Sequence, residues 1–134
     1  MARKRREPVW VDRVVVDAVH LDMLRTHGGL RGIRDENALE SALARPRHRH
    51  AYARRTDLAA VAASYGFGLA RNHPCRDGNK RTAFLVMVVF LGLNGRDLEA
   101  SEAEVVTMML QLSAGELSEA ALAMWLRDHL RSRS

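Results

Sequence analysis

His73, Asp77, Gly78, Asn79, Lys80 and Arg81 are gathered in the string His73-Pro74-Cys75-Arg76-Asp77-Gly78-Asn79-Lys80-Arg81-Thr82. An imidazole titrates near neutral pH and suits a general base that takes a proton from an incoming hydroxyl. Asp77 is a hard oxygen ligand, of the kind that holds Mg²⁺ together with phosphate oxygens. Gly78 lets the backbone approach a phosphate closely. The string runs straight into the apolar segment from Ala83 to Leu91. A helix starting there would offer unpaired N–H groups and a positive dipole end. The amides of Gly78 to Arg81 would form an anion nest, and Asn79 would bridge loop and ligand. Lys80 and Arg81 would meet the charge that develops on a transferring phosphate. The catalytic candidates are therefore His73, Asp77, Lys80 and Arg81. The phosphate-binding candidates are Gly78, Asn79, Lys80 and Arg81, and Asp77 is the metal candidate.

Each type has a plainer use. Asp77 alone would be a helix N-cap, and Lys80 and Arg81 alone would be first-turn charges facing solvent. Thr82 is read as helix only. A lone histidine is usually structural, and His20, His27, His48, His50 and His129 are read that way. His73 differs because compatible groups follow it in order.

Six helices would position this string. Asp12 is expected to cap a first helix from about Val11 to Thr26, with Val11, Val14, Val15, Ala18, Val19 and Leu21 inward and Gly28-Gly29 as its stop. Asp35 should cap a second through Ala38, Leu39, Ala42 and Leu43, ended by Pro46. Thr56 or Asp57 should start a third, whose Ala59, Ala60, Ala63, Gly66 and Gly68 permit close packing. The fourth should run from near Gly78 to near Asn94, with Gly95 as its cap, and be the most buried. Ser101 to Glu104 is a capping box for the fifth, with Val105, Met108, Met109 and Leu112 inward and Gly115 as its end. Ser118 should cap the sixth, striped with Ala121, Leu122, Trp125, Leu126 and Leu130. A short hairpin between Arg45 and Arg55 is the one strand candidate. The fold class is all-α: a compact bundle of about six helices around a central buried helix.

The chain of 134 residues is expected to form one domain over 1–134, with 1–8 as a flexible basic tail. The lone Cys75 cannot form an internal disulfide, which fits a reducing cytoplasm. The apolar run from Ala83 to Leu93 has eleven residues, short of the roughly 20 that span a bilayer, so no membrane partner is expected. The net charge of +5 is concentrated at Arg3 to Arg6 and from Arg45 to Arg55. Such an excess attracts polyanions or an acidic protein. No zinc-ligand pattern or recognition motif accompanies it, so direct nucleic-acid binding is not expected.

The string resembles the core motif of Fic/Doc proteins, His-x-Phe-x-Asp/Glu-Gly-Asn-Gly/Lys-Arg. It is most similar to the Doc, or death-on-curing, branch, which has Asn-Lys-Arg-Thr-Ala where AMP-transferring Fic enzymes have Asn-Gly-Arg and a second Arg three residues on. Here the residues are Asn79-Lys80-Arg81-Thr82-Ala83, with Phe84 at the second Arg position. The segments from Gly28 to Asp35, Leu39 to Leu43, Phe90 to Gly95 and Gly115 to Ser118 look like further family landmarks.

The resemblance implies an α-helical fold with the motif at the mouth of a central helix. It implies a toxin of a bacterial toxin–antitoxin pair, using ATP and Mg²⁺ to phosphorylate a threonine of translation elongation factor Tu. By position, His73 would be the base, Asp77 the Mg²⁺ ligand and Gly78 to Arg81 the phosphate site. The cation gained at Lys80 and lost at Phe84 would change which phosphate faces the nucleophile, favouring phosphate over AMP transfer. AMP transfer and a catalytically weak binding protein are the alternatives. Cys75 stands where the family has Phe, whose ring would anchor the turn with packing worth about 3–5 kcal/mol. A buried, inert thiol is expected there. No inhibitory Ser/Thr-x-x-x-Glu-Gly/Asn string is found, so restraint is expected from an antitoxin whose helical segment fills a groove near the active site. The Arg45 to Arg55 segment is the candidate for part of that surface or for target docking.

Overall fold

The computed structural model describes residues 7–53 and 56–132. The Arg3 to Arg6 cluster and Arg54 and Arg55 of the second basic stretch lie outside the described residues. The helices are α1 (Arg13–His27), α2 (Glu36–Tyr52), α3 (Leu58–Asn72), α4 (Asn79–Leu93), α5 (Glu102–Ser113) and α6 (Glu119–Asp128). Two short strands, β1 (Arg96–Leu98) and β2 (Leu130–Ser132), pair antiparallel with Leu98 opposite Leu130. The all-α bundle of six helices is as expected. Among the described residues no helix is long and apolar enough to cross a membrane.

Four helices start on side-chain caps. Asp35 accepts from the Ala38 N–H at 3.1 Å, Asp57 from Ala60 at 2.8 Å and Ser118 from Ala121 at 3.1 Å. The full capping box joins Ser101 and Glu104. Each satisfies an N–H that the first turn leaves unpaired.

Packing overrides the local reading in three places. Asp12 stands at the N-cap of α1 but makes no side-chain cap. The buried face of α1 is Val16, His20, Met23 and Leu24, while Val14 is 77% exposed. Val14-Val15-Val16 is apolar in three directions, so the valines cannot choose the face. Helix α2 runs through Pro46 to Tyr52, so Pro46 does not end it and no hairpin forms there. A proline inside a helix costs about 3 kcal/mol. Continuing the helix buries Pro46 and His50 and carries Arg45 and Arg49 onto Glu119, at 2.5 and 2.7 Å. Within the described part of the segment expected as a tail, Glu7 accepts from Trp10 Nε1 at 2.9 Å.

The most buried helix is α3, not α4. Eleven of the 15 residues of α3 are buried, against six of 15 in α4. The alanines and glycines of α3 let α2, α4 and α6 approach on several sides, whereas α4 keeps Leu85, Val88 and Gly92 half-exposed on its outer side. The core between them holds Tyr65, Leu69, Met87, Phe90, Leu112, Leu122 and Leu126. The Tyr65 hydroxyl reaches the backbone of Val11, whose N–H donates to it at 3.0 Å.

Candidate active site

Helix α3 ends at Asn72, and the next residue turns the chain sharply. His73 is left-handed, with φ 47° and ψ 53°, the one non-glycine positive φ among the described residues. That conformation costs a non-glycine residue of order 1–3 kcal/mol and is held only by its surroundings. Pro74 and Cys75 then lie against the loop that follows α1. Cys75 and Ile33 form an isolated antiparallel bridge. The Pro74 carbonyl accepts from the Arg34 and Asp35 N–H groups at 2.7 and 3.1 Å, and Gly32 O accepts from the Arg76 N–H at 3.2 Å.

Asn79 closes the turn from its other end. Its Oδ1 accepts from the Cys75 N–H at 2.8 Å and its Nδ2 donates to the Cys75 carbonyl at 2.9 Å. The amide therefore holds the loop with both of its polar ends, a tighter structural use than bridging loop and ligand.

Asp77 is fixed from two sides. Its Oδ2 accepts from the Leu30 N–H at 2.6 Å. Its carbonyl faces His20 Nε2 at 2.9 Å, so that nitrogen carries the proton, because a carbonyl can only accept. His20 is buried, 6% exposed. It is structural, as the sequence reading had it, but its structure is that of the site. Gly29 lies against Asp77, where an added Cβ would come within 3.1 Å of the Asp77 Cβ.

Gly78 opens α4 with φ 77°, and a Cβ there would run into the Cε of buried Met23. The first helical bond of α4 is made by the Thr82 N–H to Gly78 O at 2.9 Å. The N–H groups of Asn79, Lys80 and Arg81 thus fall in the first turn, without partners from the helix itself. His73, Lys80 and Arg81 are exposed. Together His73, Asp77, Gly78, Asn79, Lys80 and Arg81 line one cleft of about 330 Å³. Every candidate from the motif is brought together. Arg76 joins them on the cleft wall; no motif signal marks it, because its position carries no fixed type. A larger cavity of about 880 Å³ lies at the far end of α4, beside Leu93, Asn94 and Arg96, and contains no motif residue.

The cleft wall combines first-turn amides and a positive helix end with three cations, Arg76, Lys80 and Arg81, and one carboxylate, a set of groups suited to an anion. Cys75 does not line the cleft. Its thiol is 2% exposed, and burial pushes its pKa up to about 11. It is the buried, inert thiol expected at that position.

Residues 10–91 match the family model described as the Fic/DOC family. A protein named "Protein kinase doc" from Escherichia phage P1 is 36% identical over 110 residues, covering 82% of this chain and 86% of that protein. A "Toxin Doc" from Mycolicibacterium smegmatis is 43% identical over 77 residues, 54% of this chain and 57% of that protein. The matched region spans α1 to most of α4, the elements that build the cleft. With its motif residues gathered at the mouth of α4, the chain belongs to the Fic/Doc family.

Proposed function

We propose that this protein is a Doc-like toxin that moves the γ-phosphate of ATP to a threonine hydroxyl of translation elongation factor Tu. The supporting observation is the single cleft in which His73 and Asp77 face the amides of Asn79 to Arg81 at the start of α4. His73 takes the proton of the acceptor hydroxyl while its oxygen bonds to the γ-phosphorus, and the bond to the β-phosphate oxygen breaks to release ADP. Lys80, Arg81 and the first-turn amides stabilise charge on the phosphate oxygens.

The donor set fits a Mg²⁺-nucleotide. Asp77 offers one carboxylate, pinned through Oδ2, in the cleft that Lys80 and Arg81 also line. Mg²⁺ would be held by Asp77 and neutralise phosphate charge.

Phe84 favours phosphate over AMP transfer. It is half-buried and packed against the core, so the position of the second family arginine contributes an apolar contact and no cation. The name of one relative, "Toxin Doc", points to a toxin, and a toxin of such a pair is restrained by an antitoxin. Arg81, Leu85, Val88 and Gly92 follow one face of α4 with the spacing of successive turns, and Leu85 and Val88 remain half-exposed. An acidic amphipathic helix laid along that stripe would lie over Arg81 and restrain the phosphate site.

Intact-protein mass spectrometry of elongation factor Tu incubated with the chain and Mg-ATP tests the reaction. One added phosphate is the expected product. An added AMP would overturn the argument from Phe84. His73→Ala should abolish both transfer and growth arrest while the melting temperature stays within about 2 °C, because the His73 side chain is exposed.

A further inference from the structure

We infer that Arg34 is a positioning residue that holds the proposed base, His73, in its reactive conformation; the inference rests on the role proposed for His73. The Arg34 guanidinium donates from Nε to the His73 carbonyl at 2.8 Å and from Nη2 to the Asn72 carbonyl at 3.0 Å. Those two oxygens belong to the C-terminal end of α3, where carbonyls have no helical N–H to accept from. A planar fork with two donors at fixed spacing matches two successive carbonyls, and an ammonium cannot reproduce it.

The need for such a hold follows from the backbone. His73 is left-handed without being glycine, so the turn does not keep this shape by its own preference. Relaxation of φ and ψ at His73 would swing the imidazole off the cleft. Three neighbouring restraints act on other residues: the Pro74 carbonyl is held by the N–H groups of Arg34 and Asp35, Cys75 by Ile33 and Asn79, and Asn72 Nδ2 donates to Ala38 O at 3.0 Å. Among the described hydrogen bonds, the one that reaches the peptide group of His73 from a side chain comes from Arg34. Arg34 is itself fixed at both ends, because its N–H is bound to Pro74 O and the next residue, Asp35, caps α2. The loop after α1 and the first turn of α2 thus set the angle of a residue at the end of α3.

The Arg34 guanidinium donates to the backbone of Asn72 and His73 and, among the described hydrogen bonds, to no motif side chain, so its removal should separate two properties. The phosphate site of Asp77 to Arg81 should bind nucleotide as before, and turnover should fall. Arg34→Met keeps the aliphatic stem and removes the fork; Arg34→Lys keeps a charge and one donor. The natural chain, these two variants and His73→Ala are to be compared for Mg-ATP affinity by calorimetry and for growth arrest at graded expression. For Arg34→Met the expected results are affinity within about twofold of the natural chain and activity lower by about tenfold to a hundredfold, the range for a misplaced reacting group. Arg34→Lys should fall between the two. Growth arrest by Arg34→Met at the same dose as the natural chain overturns the inference. So does a parallel loss of nucleotide affinity, since that marks general damage to the site. Growth arrest by His73→Ala at the natural dose has a different meaning: it removes His73 as base and with it the proposed reaction.

Discussion

Cys75 shows how a residue that departs from a family pattern can be judged by its surroundings. Its thiol is buried with a pKa raised to about 11 by desolvation, so very little thiolate exists near neutral pH. Alkylation by iodoacetamide at about pH 8 should therefore run at least about a hundredfold slower in the native protein than after denaturation. Equal rates would show that the turn opens freely. The same scale separates what the sequence makes legible from what it hides. His73, Asp77, Gly78, Lys80 and Arg81 are legible because type and spacing within one short string already define an anion site beside a base. Asn79 is half-legible: its place in the motif is plain, yet its amide serves the loop. His20 and Arg34 are not legible, since their bonds to the site cross 57 and 39 residues of sequence. Nothing local marks a histidine on α1 as the support of a carboxylate-bearing turn on the far side of two helices.

At the scale of elements, caps and glycine stops are readable because each is decided within four residues. Faces and ends decided by distant partners are not. Pro46 is a valid local stop signal, overruled by burial and by the pairing of Arg45 and Arg49 with Glu119. The eminence expected of α4 fails for a related reason: apolar composition measures what a helix can bury, while small residues decide how many neighbours come near it. Two glycines of α3 make this testable. A Cβ at Gly66 would meet the Sδ, Cε and Cγ atoms of fully buried Met87, whereas at Gly68 the nearest atoms, of Ala42 and Arg45, lie at 3.4 Å. Alanine gains about 1 kcal/mol over glycine in a helix, and overpacking costs about 1–3 kcal/mol. Gly68→Ala should raise stability by up to about 1 kcal/mol, and Gly66→Ala should lower it by about 1–2 kcal/mol, both read by urea unfolding. The same sign for both would show that α3 and α4 are not packed as closely as described.

Across the whole molecule, α5 and α6 are joined by a titrating pair. His129 Nδ1 faces the Trp125 carbonyl at 2.7 Å and Nε2 faces Glu104 at 2.8 Å. Both partners only accept, so the ring is the doubly protonated cation, and it stacks on Trp125 at 4.2 Å. The Trp125 carbonyl, then Glu104, raise the pKa of His129, while the Ser101 backbone N–H, then His129, hold Glu104 down at about 2. The stability from Glu104 is present above the ordinary carboxylate value and lost as pH falls toward 2. That from His129 is present below its ordinary value and lost as pH rises through the raised one. The melting-temperature advantage of the natural chain over Glu104→Gln should therefore be greatest between about pH 4.5 and 6.5 and shrink on either side. A difference that did not shrink either well below pH 4.5 or well above pH 6.5 would mean that the pair does not form.

The small sheet carries a mechanical consequence. Ser132 lies opposite Arg96 and Leu130 opposite Leu98, so the segment after α6 is laid back along the segment that leaves α4. Drawn away from the sheet by its C-terminal end, the ladder opens like a zipper, with Ser132 parting from Arg96 first and the pairs yielding one at a time. Under that load α6, which β2 directly follows, is next in line.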